Sequence, residues 1–326
     1  MLFINAEEIR EIFTMRDAIE SDREAFVIQA EGLAEVPVRT GFDVYEGCSS
    51  LYMPAFIKSY PRTGLKIVST YKKNAERNLP VVAGSVILLD PCTGFVNAIL
   101  DGTELTKMRT GAVSGLATEL LANEGAEVGA QFGAGGQGLS QLEGVLCARK
   151  LKEVRIYDLD SDRVKNFIAA AAPIAERYGA RLKAAASSDE AIDNADVITC
   201  ATTAAAPLFD GGRVKAGAHI NGVGSYVPEK RELDETVVTR ADRVFVDNME
   251  AILAEAGDLL IPMNEGKFRK EDIAGELGEL ILGRVAGRTS KEQITVMKTV
   301  GFATLDIVIG HNVCKKAVEK GVGRKI

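Results

Sequence analysis

The stretch Ala126-Glu127-Val128-Gly129-Ala130-Gln131-Phe132-Gly133-Ala134-Gly135-Gly136-Gln137-Gly138 joins an apolar-leaning run to a complete G-x-G-x-x-G. The run ends at Phe132, and the glycines of the motif are Gly133, Gly135 and Gly138. Leu139 to Lys150 then reads as a helix, with Leu142, Val145, Leu146 and Ala148 available for a buried face. A second short strand, Val154-Arg155-Ile156-Tyr157, leads to Asp158. That acid falls roughly 20 residues past the glycines, the spacing of a dinucleotide-binding βαβ unit. A lone glycine motif is weak evidence. Strand, glycines, helix, strand and acid in this order form a strong signal.

Each position has a physical role. Gly133 permits the tight strand-to-helix turn, Gly135 lets the backbone approach a pyrophosphate, and Gly138 lets the helix pack closely on the strand. The helix N-terminus offers free N–H groups and a positive dipole end to phosphate. Asp158 is placed to accept hydrogen bonds from the adenosine ribose hydroxyls. A carboxylate there welcomes the 2′- and 3′-hydroxyls and repels a 2′-phosphate, so the expected cofactor is NAD rather than NADP.

Working outward, 326 residues allow about two domains and a sizeable core. A net charge of -7 with no basic stripe argues against nucleic-acid binding. No apolar run approaches the roughly 18 residues of a membrane helix. The N-terminus turns acidic at Glu7-Glu8, unlike a signal peptide. The five cysteines form no C-x-x-C, which suggests reduced, mostly buried thiols in the cytoplasm. The two histidines, His219 and His311, have no second ligand at helical spacing, so no metal site is expected. His219 opens an apparent strand, and a structural role is its default reading.

Asn5 to Ala34 reads as mostly helical, with Asn5 and Thr14 or Asp17 as caps. Strand signals follow at Ser50–Phe56, Gly64–Tyr71, Val81–Leu89 and Phe95–Leu100, an antiparallel meander with turns at Asp90–Gly94 and Asp101-Gly102. A helix from Thr103 to Ala122 carries Arg109, Thr110, Gly111 and Ala112. Beyond it the texture changes to β–α alternation, with strands at Val128–Phe132, Val154–Asp158, Leu182–Ala185, Val197–Cys200, His219–Val223 and Val244–Asp247. Such alternation gives a parallel, doubly wound sheet. Ile294–Val300 and a helix from Phe302 to Lys320 form a last segment that returns to the first domain. The expected architecture is α/β: a Rossmann-type nucleotide domain over residues 119–300, and an α+β substrate-binding and dimerisation domain built from 1–118 with 301–326.

Several stretches together resemble the ornithine cyclodeaminase/μ-crystallin family over nearly the whole chain. They are Pro37-Val38-Arg39, Gly64-Leu65-Lys66, Leu89-Asp90 with Thr93-Gly94, and Leu105-Thr106-Lys107-Met108-Arg109-Thr110-Gly111-Ala112-Val113-Ser114. Further matches are Gly133-Ala134-Gly135-Gly136-Gln137, Gly222-Val223-Gly224-Ser225 with Glu232-Leu233, and Ile294-Thr295-Val296 with Lys298 and Gly301. The resemblance implies a homodimer that binds a nicotinamide nucleotide and moves hydride between it and the Cα of a small amino acid or cyclic imino acid. It implies Arg39, Lys66 and Arg109 as the substrate-carboxylate site. The need is physical: the substrate must present Cα within ~3–3.5 Å of the nicotinamide, and a carboxylate clamp fixes that pose. Lys66 also serves as a proton-exchanging group if its pKa is lowered. The resemblance further implies Thr110, Gly133, Gly135, Gly136, Gln137, Asp158, Thr202, Val223, Gly224 and Ser225 as nucleotide contacts.

One departure bears on the reaction. Ornithine-cyclising members carry an acid–base aspartate after the fifth strand of the nucleotide domain, where this chain has Tyr226. A phenol with a pKa near ~10 is a poor general base at neutral pH. That favours imine reduction or amino-acid oxidation over ring closure, although Glu229 or a bound water could replace the aspartate. Three readings follow: an NAD-dependent oxidoreductase, an ornithine cyclodeaminase with recycled NAD, and a nucleotide-dependent ligand binder without turnover. Retention of all three cations argues against the last.

Overall fold

The computed structural model describes residues 1–37, 39–77 and 79–326; Val38 of the Pro37-Val38-Arg39 stretch lies outside the described residues. The chain divides into two compact units, Met1–Arg109 with Phe302–Ile326, and Thr110–Gly301. The division falls inside one continuous helix, where the sequence reading set it near that helix's end.

The first unit begins with β1 (Leu2–Ile4), α1 (Ala6–Ile12) and α2 (Met15–Ala30). Asn5 and Thr14 start the two helices through reciprocal capping boxes with Glu8 and Asp17. Then come β2 (Ala34–Glu35), β3 (Thr40–Tyr45), β4 (Cys48–Ile57), β5 (Arg62–Tyr71), β6 (Val82–Leu89), β7 (Val96–Asp101) and α3 (Gly102–Leu121). Strands β4 to β7 form the expected antiparallel meander. Asp101 Oδ1 accepts from Glu104 N at 2.8 Å and caps the entry to α3.

The second unit holds β8 (Val128–Phe132), α4 (Gly138–Ala148), β9 (Glu153–Tyr157), α5 (Ser161–Tyr178), β10 (Arg181–Ala184), α6 (Ser188–Ile192), β11 (Val197–Cys200) and β12 (His219–Gly222). It continues with α7 (Glu235–Arg240), β13 (Arg243–Val246), α8 (Met249–Glu255), α9 (Gly257–Asn264), β14 (Ile273–Glu276), α10 (Leu277–Ile281) and β15 (Thr295–Lys298). Its sheet runs in the order β10-β9-β8-β11-β12-β15-β13-β14, parallel throughout. Strand order reverses between β8 and β11, the point at which open parallel sheets bind ligands.

The strand after Ile294 lies in the second unit, within the expected 119–300 range, against the reading that this segment returns to the first domain. This strand, β15, does not leave for the first unit but inserts between β12 and β13. A four-residue strand buried at every position carries no alternation to reveal it. Only the last helix, α11 (Ala303–Lys320), and β16 (Arg324–Lys325) return. Strand β16 pairs with β1, which lies parallel to β7, so the first sheet is mixed rather than purely antiparallel.

The cysteines also depart from expectation. All five are unbridged, but only Cys200 is buried, and Cys92 stands exposed in the Asp90–Gly94 turn. His219 is structural: its ring nitrogens lie 3.0 Å from Thr295 Oγ1 and 3.0 Å from Asn221 Oδ1. Burial pushes its pKa down to about 3, so it stays neutral.

Within the second unit, glycines bring α3 and α4 into backbone contact. A Cβ at Gly111 would fall 2.1 Å from Ser140 O, and one at Gly144 would fall 2.0 Å from Gly111 O. Gly111→Ala therefore forces backbone to move and should lower unfolding free energy by roughly 1–3 kcal/mol. Urea denaturation checks this against Gly125→Ala, whose added Cβ meets nothing within 4 Å.

Candidate active site

In the first unit, β5, α3 and α11 each bring one ionisable side chain to a buried cluster. Lys66 is 1% exposed, Arg109 7% and Asp306 0%. Lys66 Nζ lies 2.6 Å from Asp306 Oδ2, and Arg109 Nε lies 3.2 Å from Asp306 Oδ1. Asp306 engages only Nε, so the terminal nitrogens of the guanidinium keep donors for a second carboxylate. Arg39 is half-buried, and its charge is felt at Lys66.

Burial lowers the Lys66 pKa to about 8; Asp306 opposes that, while Arg109 and Arg39 reinforce it. At neutral pH the ammonium remains mostly charged yet can release a proton at little cost. A fourth group, Asp22 on α2, is fully buried, and neither carboxyl oxygen has a hydrogen-bond partner. Burial drives its pKa well above the usual carboxylate range, against the pull of Arg109. Burial thus disfavours a charge on Asp22, while Lys66 and Arg109 bring two positive charges to the single carboxylate of Asp306. Such an excess suits a small carboxylate.

Sequence reasoning missed Asp306 and Asp22. Signals exist for both. Asp306 is a single acid in the apolar run Ala303-Thr304-Leu305-Asp306-Ile307-Val308-Ile309, and Asp22 occupies the Ile19–Phe26 face at helical spacing. An acid at a core position calls for a buried partner.

The second unit carries the nucleotide motif in its expected form. Gly133 adopts φ +100°, and a Cβ there would lie 2.4 Å from Ala201 O. At Gly138 a Cβ would meet the Phe167 ring at 2.7 Å, which accounts for the close seating of α4. Gly135 and Gly136 instead face open space, with nothing within 4 Å of an added Cβ. Gln131 braces the loop by donating to Gly133 O at 3.2 Å and Gly138 O at 3.0 Å. Gln137 opens α4 without a side-chain cap, and its Oε1 is buried without a partner. An open glycine cradle and an uncapped helix start fit a pyrophosphate.

Asp158 ends β9 as expected. Its carboxylate accepts from Ala134 N at 3.0 Å and Asp160 N at 3.2 Å, so it shapes the loop as well as facing it. Beside it lies a cavity of about 440 Å³ lined by Gly135, Leu139, Asp160, Arg163 and Phe167 among others. Thr110 is buried on α3. Thr202, Val223, Gly224 and Ser225 follow β11 and β12 at their carboxyl ends. Tyr226, next in line, is half exposed at 52%.

Lys298 gains a defined place. It is fully buried on β15, 2.7 Å from Asp258 Oδ2, and donates to Ser225 O at 2.6 Å. Its role is in the loop, one chain segment away from the solvent-facing Tyr226.

The Ornithine cyclodeaminase/mu-crystallin family model matches residues 1–321. The chain belongs to this family. Among its relatives, a Delta(1)-pyrroline-2-carboxylate reductase of Bacillus cereus (strain ZK / E33L) is 37% identical, over 100% of this chain and 99% of that one. The structure of Thermococcus litoralis Delta(1)-pyrroline-2-carboxylate reductase in complex with NADH and L-proline matches with a TM-score of 0.95, 36% identity and full coverage of both chains. An archaeal alanine dehydrogenase dimer with bound NAD matches with a TM-score of 0.91 and 31% identity, over 100% of this chain and 98% of that one.

Asp306→Asn removes the one charge that holds the Lys66 pKa up. The Lys66 midpoint should fall from about 8 by roughly 1–3 pH units. NMR titration of 13C-labelled lysine reads this directly, and an unmoved midpoint would uncouple the two residues.

Proposed function

We propose that this chain is an NAD-dependent oxidoreductase that reduces a small cyclic imino acid, or oxidises the matching amino acid, at the Cα–N bond. The observation that carries the reading is the Lys66–Asp306–Arg109 cluster. It combines an excess of positive charge with a lysine whose pKa, about 8, lies close to working pH. The relatives named for pyrroline-2-carboxylate reduction and for NADH with L-proline support the same chemistry.

Arg109 grips the substrate carboxylate through its terminal nitrogens, with Arg39 and Lys66 adding charge. Asp306 keeps both inner cations oriented and limits their mutual repulsion. The Lys66 Nζ holds a proton for the imine nitrogen in reduction and takes one from the amine in oxidation, directly or through one water. The glycine loop, Gln137 and Thr110 hold the phosphates, and Asp158 takes the ribose hydroxyls. Thr202, Val223, Gly224 and Ser225 line the nicotinamide end. The bound nicotinamide supplies or accepts the hydride.

Tyr226 favours this reading over ornithine cyclodeamination, because reduction requires no base to activate a distal amine. We further infer a cytoplasmic homodimer. Five unbridged cysteines suit a reducing compartment, and among the described residues no helix is long and apolar enough to cross a membrane. The first unit exposes Phe42, Tyr45, Leu79 and Phe95, apolar surface of the kind a second copy covers. The dimeric archaeal alanine dehydrogenase supports the same assembly.

The test is a panel of Δ1-pyrroline-2-carboxylate with NADH, L-proline or L-alanine with NAD, and L-ornithine, following absorbance at the NADH band and ammonia in parallel. Net NADH change with the imine or a simple amino acid is expected, with NADH preferred to NADPH. Rapid ornithine-dependent ammonia release without net NADH change would sink the reading. Because Lys66 is cationic below its pKa, KM for the carboxylate substrate should rise as pH climbs past about 8. Arg109→Lys keeps charge but loses the planar fork, so it should raise KM and lower kcat while leaving nucleotide affinity near wild type.

A further inference from the structure

The carboxyl end of the parallel sheet holds three buried acids, Glu232, Asp247 and Asp258. Glu232 is fully buried, and its carboxylate accepts from three backbone N–H groups: Thr202 at 2.6 Å, Gly224 at 2.6 Å and Ser225 at 3.2 Å. It therefore ties the turn after β11 to the turn after β12, the two segments assigned to the nicotinamide end. Asp258, at the start of α9, accepts from Glu232 N at 2.6 Å and Leu233 N at 2.9 Å. Lys298 completes the set through Asp258 Oδ2 and Ser225 O. Nearby, buried Asp247 at the end of β13 accepts from Thr299 Oγ1, Val300 N and Gly301 N.

The fit is tight around Glu232. A Cβ at Gly224 would come within 2.2 Å of Thr202 O and 2.6 Å of Glu232 Oε1. Two carboxylates, Glu232 and Asp258, thus stand against one buried ammonium, Lys298, and backbone N–H groups supply their remaining partners. Amide donors satisfy carboxylate lone pairs without cancelling the charge. An isolated buried ion is costly, so a carboxylate in such excess either takes up a proton or gains from a cationic ligand. The oxidised nicotinamide ring is a cation, and the reduced ring is neutral.

We propose that this buried acidic excess biases the nicotinamide end of the site toward the oxidised, positively charged ring, with Glu232 as the positioning residue that also supplies the decisive charge. The inference rests on the nucleotide reading above. Its consequence is directional: charge that favours the cationic ring also favours the positive charge developing on it as hydride leaves, so the site is set for hydride donation.

Glu232→Gln keeps the shape and removes the charge. Affinities of the purified full-length protein for NAD+, NADH and ADP-ribose, measured by calorimetry, separate the possibilities. Expected is an ADP-ribose affinity within about twofold of wild type, with NAD+ weakened roughly three- to tenfold more than NADH, the scale of one charge in a partly buried medium. Equal weakening of NAD+ and NADH, or no change in either, overturns the proposal. Failure of wild type to bind ADP-ribose would instead remove the nucleotide reading itself.

Wild type provides a second measurement should the variant not fold. Burial raises the Glu232 pKa, Lys298 and the Thr202 N–H oppose it, and Asp258 reinforces it. The other titratable group facing it is the Cys200 thiol on β11, which burial drives well upward and which stays neutral. As pH falls, Glu232 takes up a proton and the preference for NAD+ over NADH should shrink. A ratio that does not fall as pH is lowered overturns the proposal.

Discussion

Asp306 stands between Lys66 and Arg109 with no exposure to solvent, and the chemistry of the first unit depends on that contact. Two cations this deeply buried would repel each other and lose most of their hydration. A single carboxylate offsets both effects, at 2.6 Å from one and 3.2 Å from the other. Full neutralisation would need a second anion, and burial pushes the pKa of the Asp22 carboxyl well above the usual carboxylate range, against that role. The cluster is therefore stable enough to fold and still short of negative charge, a shortage that a substrate carboxylate can fill.

The second unit solves the opposite problem. Lys298 is the buried cation there, and Glu232, Asp258 and Asp247 surround the strand ends with carboxylates. Backbone N–H groups from Thr202, Gly224 and Ser225 replace cations as partners for Glu232. These amides belong to short turns after parallel strands; Gly224 N also reaches Cys200 O at 3.2 Å, while Thr202 N and Ser225 N turn to the carboxylate. The acids thus serve the fold by closing the turns, and they leave charge at the place where a ligand enters an open parallel sheet.

Much of the architecture was readable from residue order. The glycine spacing, the acid at 158 and the β–α alternation describe β8 to β12 closely, and capping residues mark α1 and α2. What escaped reading has a common cause. Strand β15 is four residues long and buried on every position, so no alternation marks it. Strand β14 is equally short and sits at the sheet edge. The mixed character of the first sheet depends on pairing between chain ends, which local pattern cannot encode. In the site, the three cations were found through family resemblance, whereas Asp306 lies 197 residues from Arg109 and is linked to it only by the fold.

The balance of the two clusters also explains why Tyr226 is compatible with function. Amine activation for ring closure requires a dedicated base that faces the distal end of the substrate. On the proposed reading, carboxylate capture and proton exchange at the Cα–N bond require only groups near the carboxylate, where Lys66 would supply both charge and proton. A half-exposed tyrosine after β12 disturbs neither demand. Substituting one residue at that turn could thus move a family member between ring closure and simple hydride transfer while both buried clusters, and the fold they stabilise, stay intact.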